Sequence, residues 1–187
     1  HRYAELAEKT AEAETDPKNK AELLEIAEIC RRVPEYPARN FREAIQSFWF
    51  IHLAIEVEQM ACATSPGRYG QYMYPFYKKD IDEGKLTKEQ VITLLKFQWI
   101  KHMELGEYQG GSYAKTLSGH TGQTISIGGV DAYGRDASTE LEELLLETQI
   151  RMRGIQPTLT LLYHPKLKTS YMNKVVECIR GGSGQPQ

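Results

Sequence analysis

The feature that most constrains the fold is an alternation of strand-like and helix-like runs in the second half of the chain. Residues 121–127 alternate polar and apolar side chains, and residues 157–163 have the length and β-branched content of an interior strand. The helical run 140–153 separates them, and another helix starts at Ser170. Because strands joined through a helix usually pair in parallel, this strand-helix-strand-helix order predicts an α/β arrangement with the helices outside the sheet.

The first half of the chain is predicted to be rich in helices. Residues 3–14 and 17–33 repeat apolar side chains at helical spacing. The run that begins at Phe41 is apolar on nearly all sides, which indicates a buried helix. Thr87 and Gln90 have the spacing of a capping box ahead of a further helix.

The composition is that of an ordinary globular protein. The 187 residues carry a net charge of −2, with 41% hydrophobic and 26% charged residues, so there is no basic excess that would indicate a nucleic-acid partner. No apolar run approaches the ~20 residues that a membrane-spanning helix needs, and the first residues do not resemble a signal peptide. We therefore predict a cytoplasmic protein without a nucleic-acid or membrane partner.

Common metal and phosphate motifs are missing from the sequence. The cysteines form no CxxC pair and no cluster with histidines, so neither a disulfide framework nor a metal site is predicted. The glycine pairs do not fit a nucleotide-binding loop. The acidic run Glu140, Glu142 and Glu143 is interpreted as a solvated helix start. Ser138 or Thr139 is expected to cap that helix.

The segment 65–77, with the sequence SPGRYGQYMYPFY, combines a turn with a polar and aromatic surface. Pro66 and Gly67 favour a tight turn. Arg68 and Gln71 bring forked hydrogen-bonding groups, and the tyrosines add flat surfaces with polar tips. Such a mixture suits a buried wall that must also be polar. On these residues alone, a tight entry into an amphipathic helix is the simpler interpretation.

The same segment resembles a motif of the glycyl radical enzymes, in the pyruvate formate-lyase-like branch that includes dehydratases, decarboxylases and carbon–nitrogen lyases. Residues 67–81 are similar to G-R-[FY]-D-Q-Y-x-Y-P-[FY]-Y-x-x-D-[IL], with Gly70 in place of the Asp. Residues 123–129 resemble the barrel strand Q-[NT]-[VI]-[ST]-[IL]-G-G, and residues 156–164 resemble Q-P-x-[LI]-[ST]-x-[RL]-[YVF]-H. Residues 176–186 are similar to the helix and glycine-rich turn that lead toward the active-site loop. Four matches in family order identify the chain as a member.

The resemblance implies a fold and a domain. Glycyl radical enzymes form a ten-stranded α/β barrel of two antiparallel half-barrels, each a parallel five-stranded sheet wrapped by helices. Residues 1–187 would be part of a single pyruvate formate-lyase-like domain, truncated at both ends. Within it, a helix-rich half precedes the strand-helix-strand-helix half.

The resemblance also implies an activity and its partners. In this family an iron–sulfur activating enzyme uses S-adenosylmethionine to place a radical on a backbone glycine, which then oxidises a cysteine to the thiyl that attacks the substrate. Neither the G-C-[VI]-E motif nor the R-V-x-G-[YF] motif occurs here, so no catalytic residue is expected in this chain, which should be inactive alone. The complete protein would be a homodimeric lyase or dehydratase that cleaves C–C, C–N or C–O bonds of a small polar metabolite without a metal or other directly bound cofactor. A non-catalytic scaffold derived from the barrel remains the alternative.

The resemblance places substrate-binding candidates on two segments. The side chains of the first segment suit a carboxylate or hydroxyl, and those before the barrel strand would select the substrate. The candidates are Ser65, Arg68, Gln71, Tyr72, Ser118, His120 and Gln123. Two alternatives stay open: a loop histidine such as His120 is commonly structural, and Arg68 is as well explained as a fork that ties loops together.

Overall fold

Helices dominate the first half of the computed structural model, which describes residues 1–59, 64–105 and 122–187. They are α1 (Arg2–Ala13), α2 (Pro17–Arg32), α3 (Phe41–Gln59), α4 (Tyr69–Tyr72), α5 (Tyr74–Asp82) and α6 (Lys88–Glu104). The second half contains β1 (Thr124–Gly128), α7 (Glu140–Met152), β2 (Thr158–Leu162), α8 (Thr169–Cys178) and a π-helical turn (Ile179–Ser183).

Residues His1–Ile51 form one compact unit. Small side chains at helical spacing let α1 and α2 approach each other closely. Their buried cluster consists of Ala4, Ala7, Ala27 and Cys30, and the half-buried ring of Phe50 packs against it.

Helix α3 is less buried than its sequence predicts. Phe41 and Ala44 are buried, but the side chains of Ile51 and Val57 are 50% and 68% exposed. The prediction of a helix buried on all sides is therefore wrong for this chain. Among the described residues, too little of the chain packs around α3 to cover its apolar faces.

Residues His52–Gln187 form a second compact unit around two parallel strands. β1 and β2 pair in register from Thr124 opposite Thr158 to Gly128 opposite Leu162, which confirms the predicted parallel pairing. Fully buried side chains from the strands and from α6, α7 and α8 build the core: Leu95, Trp99, Ile125, Ile127, Leu141, Leu145, Leu159 and Tyr171.

The hydrogen-bonding pattern of the sheet extends beyond both strands. On the free side of β1, Gly67 forms a parallel bridge with Ile125, and its carbonyl accepts from the Ser126 amide at 2.8 Å. On the free side of β2, the Gln187 amide donates to Leu159 at 3.0 Å. The turn at residues 65–68 therefore lies directly beside β1.

Candidate functional site

Two side chains of the turn segment bind backbone carbonyls near the amino end of β1. The hydroxyl of Ser65 donates to the carbonyl of Gly122 at 3.4 Å. The hydroxyl of Tyr72 donates to the carbonyl of Pro66 at 3.1 Å and closes the turn on itself. Both side chains are partly exposed among the described residues.

Two others reach the carboxyl end of β1. The guanidinium of Arg68 donates from Nη1 to the carbonyl of Val130 at 2.8 Å, and the amide of Gln71 donates to the carbonyl of Gly128 at 3.4 Å. Val130 also pairs with Asp136 in an antiparallel bridge, which closes a turn after the strand. The segment is thus attached along the whole length of β1.

Gln123, which immediately precedes β1, lies in a buried polar network. Its Oε1 accepts a hydrogen bond from Nε2 of His52 at 2.8 Å and another from Nδ1 of His102. Its Nε2 donates to the carbonyl of His102 at 3.0 Å. The two imidazole rings meet edge to face with centroids 4.9 Å apart. Both ends of the Gln123 amide therefore have partners within the protein.

The network continues through α6 to the turn segment. Nε2 of Gln98 lies 3.4 Å from Nε2 of His102, and the hydroxyl of Tyr69 donates to Oε1 of Gln98 at 2.6 Å. An amide nitrogen can only donate, so His102 accepts at Nε2 and carries its proton on Nδ1. Burial and the nearby His52 lower the pKa of His102 to about 4, although the hydrogen bond to Gln123 acts in the opposite direction. His102 is thus uncharged at neutral pH.

Glu142 overturns the prediction of a solvated acidic helix start. Its side chain is fully buried. Thr139 caps α7 as expected, and it forms a capping box with Glu142. Oε2 of Glu142 also accepts from the amide of Gly128 at 2.9 Å and from the hydroxyl of Tyr171 at 3.1 Å. Desolvation by burial raises the pKa of Glu142 to about 7.

The described candidates thus lie at two ends of one strand rather than in one cluster. Ser65 and Gln123 lie at the amino end, and Arg68 and Gln71 lie at the carboxyl end, roughly 15 Å away for a five-residue strand. Tyr72 lies beside the turn. The remaining two candidates lie outside the described residues, and they are Ser118 and His120.

Sequence reasoning missed the polar residues that hold β1 at both ends. His52, Gln98 and His102 occur in helical runs that are otherwise largely apolar, and a polar side chain on the buried face of such a run is a signal of a buried hydrogen bond. Glu142 gave no such signal, because an acid in the first turn of a helix is usually solvated.

In residues 1–59, 64–105 and 122–187 no group of three or more histidines, cysteines or acids is arranged to hold a metal ion. Within the same parts of the chain, the helices are too short or too polar to cross a bilayer.

Comparison with known proteins gives consistent matches over the whole chain. A family model described as pyruvate formate lyase-like matches residues 1–187. The chain is 41% identical over 185 residues to the 4-hydroxyphenylacetate decarboxylase glycyl radical subunit of Clostridioides difficile, covering 98% of this chain and 20% of that protein. It is 38% identical over 191 residues to the isethionate sulfite-lyase of Oleidesulfovibrio alaskensis, covering 100% of this chain and 23% of that protein.

A solved structure agrees with these matches. The glycerol-bound form of the B12-independent glycerol dehydratase from Clostridium butyricum superposes with a TM-score of 0.93 at 33% identity, covering 99% of this chain and 23% of that chain. The chain thus spans only about a fifth to a quarter of the length of these relatives.

Proposed function

The chain belongs to the pyruvate formate lyase-like family of glycyl radical enzymes, and from that premise we propose that it forms part of the pocket wall of a radical lyase or dehydratase. The observation that carries the proposal is the match of the family model to all of residues 1–187. The relatives named above are a decarboxylase, a sulfite-lyase and a dehydratase. The proposed substrate remains the one that the sequence suggests, a small polar metabolite in which a C–C, C–N or C–O bond is cleaved.

The chemistry would be carried by residues beyond those of this chain. An activating enzyme with an iron–sulfur cluster and S-adenosylmethionine would remove a hydrogen atom from a backbone glycine of the complete protein. The glycyl radical would take the hydrogen atom of a cysteine thiol, and the resulting thiyl would take one from a substrate C–H bond. The 187 residues contain neither of the two radical motifs, so their proposed contribution is to bind and orient the substrate and to exclude water.

Arg68 is the proposed substrate anchor at the carboxyl end of β1. A guanidinium has five N–H donors, and the bond to Val130 uses one of them. The remaining donors suit a carboxylate or hydroxyl of the substrate. Gln71 is proposed as a weaker polar contact at the same end. Ser65, at the amino end of β1, and Tyr72, beside the turn, remain proposed contacts elsewhere on the wall.

Gln123 is proposed to act mainly through position. Because both ends of its amide are bound, it fixes the start of β1. Ser118 and His120 in that preceding stretch remain proposed selectors of the substrate, as the sequence suggests.

The same premise extends the proposal to the whole protein. We propose that β1 and β2 belong to the ten-stranded barrel, which the hydrogen bonds on both free sides of the strand pair support. A cytoplasmic homodimer acting in anaerobic metabolism completes the proposal, with this chain as an internal piece of the barrel domain.

Electron paramagnetic resonance tests the proposal directly. The full-length protein would be incubated without oxygen with a competent radical S-adenosylmethionine activase. We expect the doublet of a glycyl radical, and its loss on exposure to air. A protein that the activase binds but that never yields the doublet would overturn the proposal.

A further inference from the structure

Gly70 in α4 lies where the structure has no room for a side chain. A Cβ atom built on Gly70 would lie 2.2 Å from Cγ, 2.9 Å from Oε1 and 3.0 Å from Cδ of Glu142. By contrast, a Cβ built on Gly181 meets no described atom within 4 Å. The carboxyl of Glu142 therefore occupies the space that a side chain at position 70 would need.

Glu142 is fixed in that space from several directions. Its backbone and side chain form the capping box with Thr139 at the start of α7. Its Oε2 accepts hydrogen bonds from the amide of Gly128 and from the hydroxyl of Tyr171. The hydroxyl of Thr139 also donates to the carbonyl of Gly70 at 2.9 Å, which ties α4 to α7. The carboxyl would have to break these bonds to make room.

The other oxygen of Glu142, Oε1, is a buried polar atom with unused hydrogen-bonding capacity. In the part of the chain that the structure describes, Oε1 has no hydrogen-bond partner. This oxygen is the one beside Gly70. A buried oxygen without a hydrogen bond costs free energy of folding, so a functional role would explain why a carboxyl is present at this position.

We propose that Glu142 is a positioning residue that holds the Gly128–Gly129 corner of the pocket wall, and that Gly70 is required because the carboxyl of Glu142 fills the side-chain space of position 70. The role in the pocket wall rests on the proposed function, whereas the coupling between the two positions does not. The motif that this segment resembles has Asp at position 70. In this chain an acidic side chain reaches the same place from α7 instead.

The corner that Glu142 holds is the place where the candidate side chains attach. The carbonyl of Gly128 accepts from Gln71, and a Cβ at Gly129 would lie 3.8 Å from Nη2 of Arg68. The amide of Gly129 donates to the carbonyl of Leu162 at the end of β2, at 2.8 Å. A shift of the Glu142 carboxyl would therefore move the backbone that orients Arg68 and Gln71.

Glu142 performs this role in its protonated form below neutral pH. Burial is the largest cause that raises its pKa, and the nearby carboxylate of Asp136 adds to it. Tyr171 is the other titratable group that faces it, and its hydroxyl donates a hydrogen bond. Since Oε2 already accepts several hydrogen bonds, the proton belongs on Oε1, on the side of Gly70.

A double-mutant cycle in the full-length protein tests the coupling. Hydrogen exchange of the peptide that covers residues 126–130 reports on the corner, and turnover reports on the pocket. We expect Gly70→Ala to lower the protection of that peptide and the turnover by about tenfold or more, because one methyl group overpacks the site. In the Glu142→Ala background, Gly70→Ala should lower the protection and the turnover by about twofold or less, because the space is then free.

Matched variants keep the test decisive. Gly181→Ala adds the same methyl group in open space and should change the peptide's protection in neither background. Glu142→Gln preserves the shape of the side chain, so Gly70→Ala should remain as damaging beside it as in the parent protein. It thereby shows that the clash follows the shape of the side chain and not its charge. Glu142→Ser, which also frees the space of the carboxyl, gives a second cycle with the same expected relief if Glu142→Ala does not fold.

The outcomes separate the two proposals. Equal losses from Gly70→Ala in the parent and Glu142→Ala proteins would overturn the coupling. Full coupling in hydrogen exchange with unchanged kcat and KM would overturn the role in the pocket wall. A protein without any glycyl radical would contradict the proposed function, while the exchange cycle would still decide the coupling.

Discussion

The two ends of β1 are held by different chemistry. At the amino end, the amide of Gln123 lies between His52 and His102, and each imidazole N–H that faces it donates to its oxygen. At the carboxyl end, Glu142 holds Gly128 but keeps one buried oxygen without a described partner. The amino end is therefore a closed structural clamp, whereas the carboxyl end has hydrogen-bonding capacity to spare. Ligands of parallel sheets bind beyond the carboxyl ends of the strands, which agrees with this difference.

The largest expected effect comes from opening the clamp at the amino end. Gln123→Ala would leave the N–H groups of His52 and His102 buried without their acceptor, at a cost of about 3 kcal/mol. Hydrogen exchange of the peptide covering residues 122–125 should increase sharply in the full-length protein, and turnover should fall. Unchanged exchange would show that the network contributes nothing to the position of the strand.

The two ends should also respond to pH in opposite directions. Folding raises the pKa of Glu142 from 4.5 to about 7. As the pH rises from 4.5 to 7, the unfolded state loses this proton before the folded state does, so the stability of the carboxyl end falls. Folding lowers the pKa of His102 from 6.5 to about 4. As the pH falls from 6.5 to 4, the unfolded state gains this proton before the folded state does, so the stability of the amino end falls. One pKa unit corresponds to about 1.4 kcal/mol, so the free energy of unfolding changes by about 3 kcal/mol across each of these pH ranges.

Protection factors of peptides from the two ends, measured between pH 4 and pH 8, test this opposition. Glu142→Gln should flatten the response of the carboxyl end and leave that of the amino end intact, because glutamine does not titrate. If both ends responded in the same direction, or if the variant left the carboxyl end unchanged, the assigned protonation states would be wrong.

A smaller effect is expected from Tyr171→Phe. The change removes the hydroxyl that donates to Oε2 of Glu142, and a lost buried hydrogen bond of this kind costs about 1 kcal/mol. Since that bond favours the ionised form, the pKa of Glu142 should rise further, and the pH response of the carboxyl end should shift upward. Thermal inactivation as a function of pH measures both changes, and a downward shift would contradict the assignment.

The smallest effect is expected from Gln71→Ala. The amide of Gln71 is half-buried and donates one long bond, of 3.4 Å, to Gly128. Its loss should cost less than about 0.5 kcal/mol of stability, because water can replace such a contact. The comparison with Gln123→Ala is the useful one, since both variants truncate a glutamine beside the same strand. Similar losses from both would remove the distinction between the two ends.

Local patterns in the sequence predicted the elements of the fold well. The capping box at Thr87 was correct, and so was the cap at Thr139, one of the two residues expected there, because a cap depends on residues a few positions apart. The parallel pairing of β1 and β2 followed from the order of elements.

Contacts between distant segments were beyond local patterns. His52 meets Gln123 across 71 positions, and nothing near either residue indicates the other. The burial of Glu142 depends on the missing side chain at Gly70, so the departure from the motif and its compensation lie in different parts of the chain. The candidate residues were chosen by resemblance to motifs and by side-chain chemistry, and neither gives the distance between segments, so they fall at both ends of β1 rather than at one site.

The most direct test of the account measures radical formation and turnover together in Arg68→Ala. In the proposed function, this chain forms part of the pocket wall, and the radical lies on other parts of the protein. We therefore predict a glycyl radical signal equal to that of the parent protein, together with turnover reduced by about tenfold or more, as expected for loss of one charge-assisted contact. Unchanged kcat and KM in that variant, with the radical signal intact, would contradict the account.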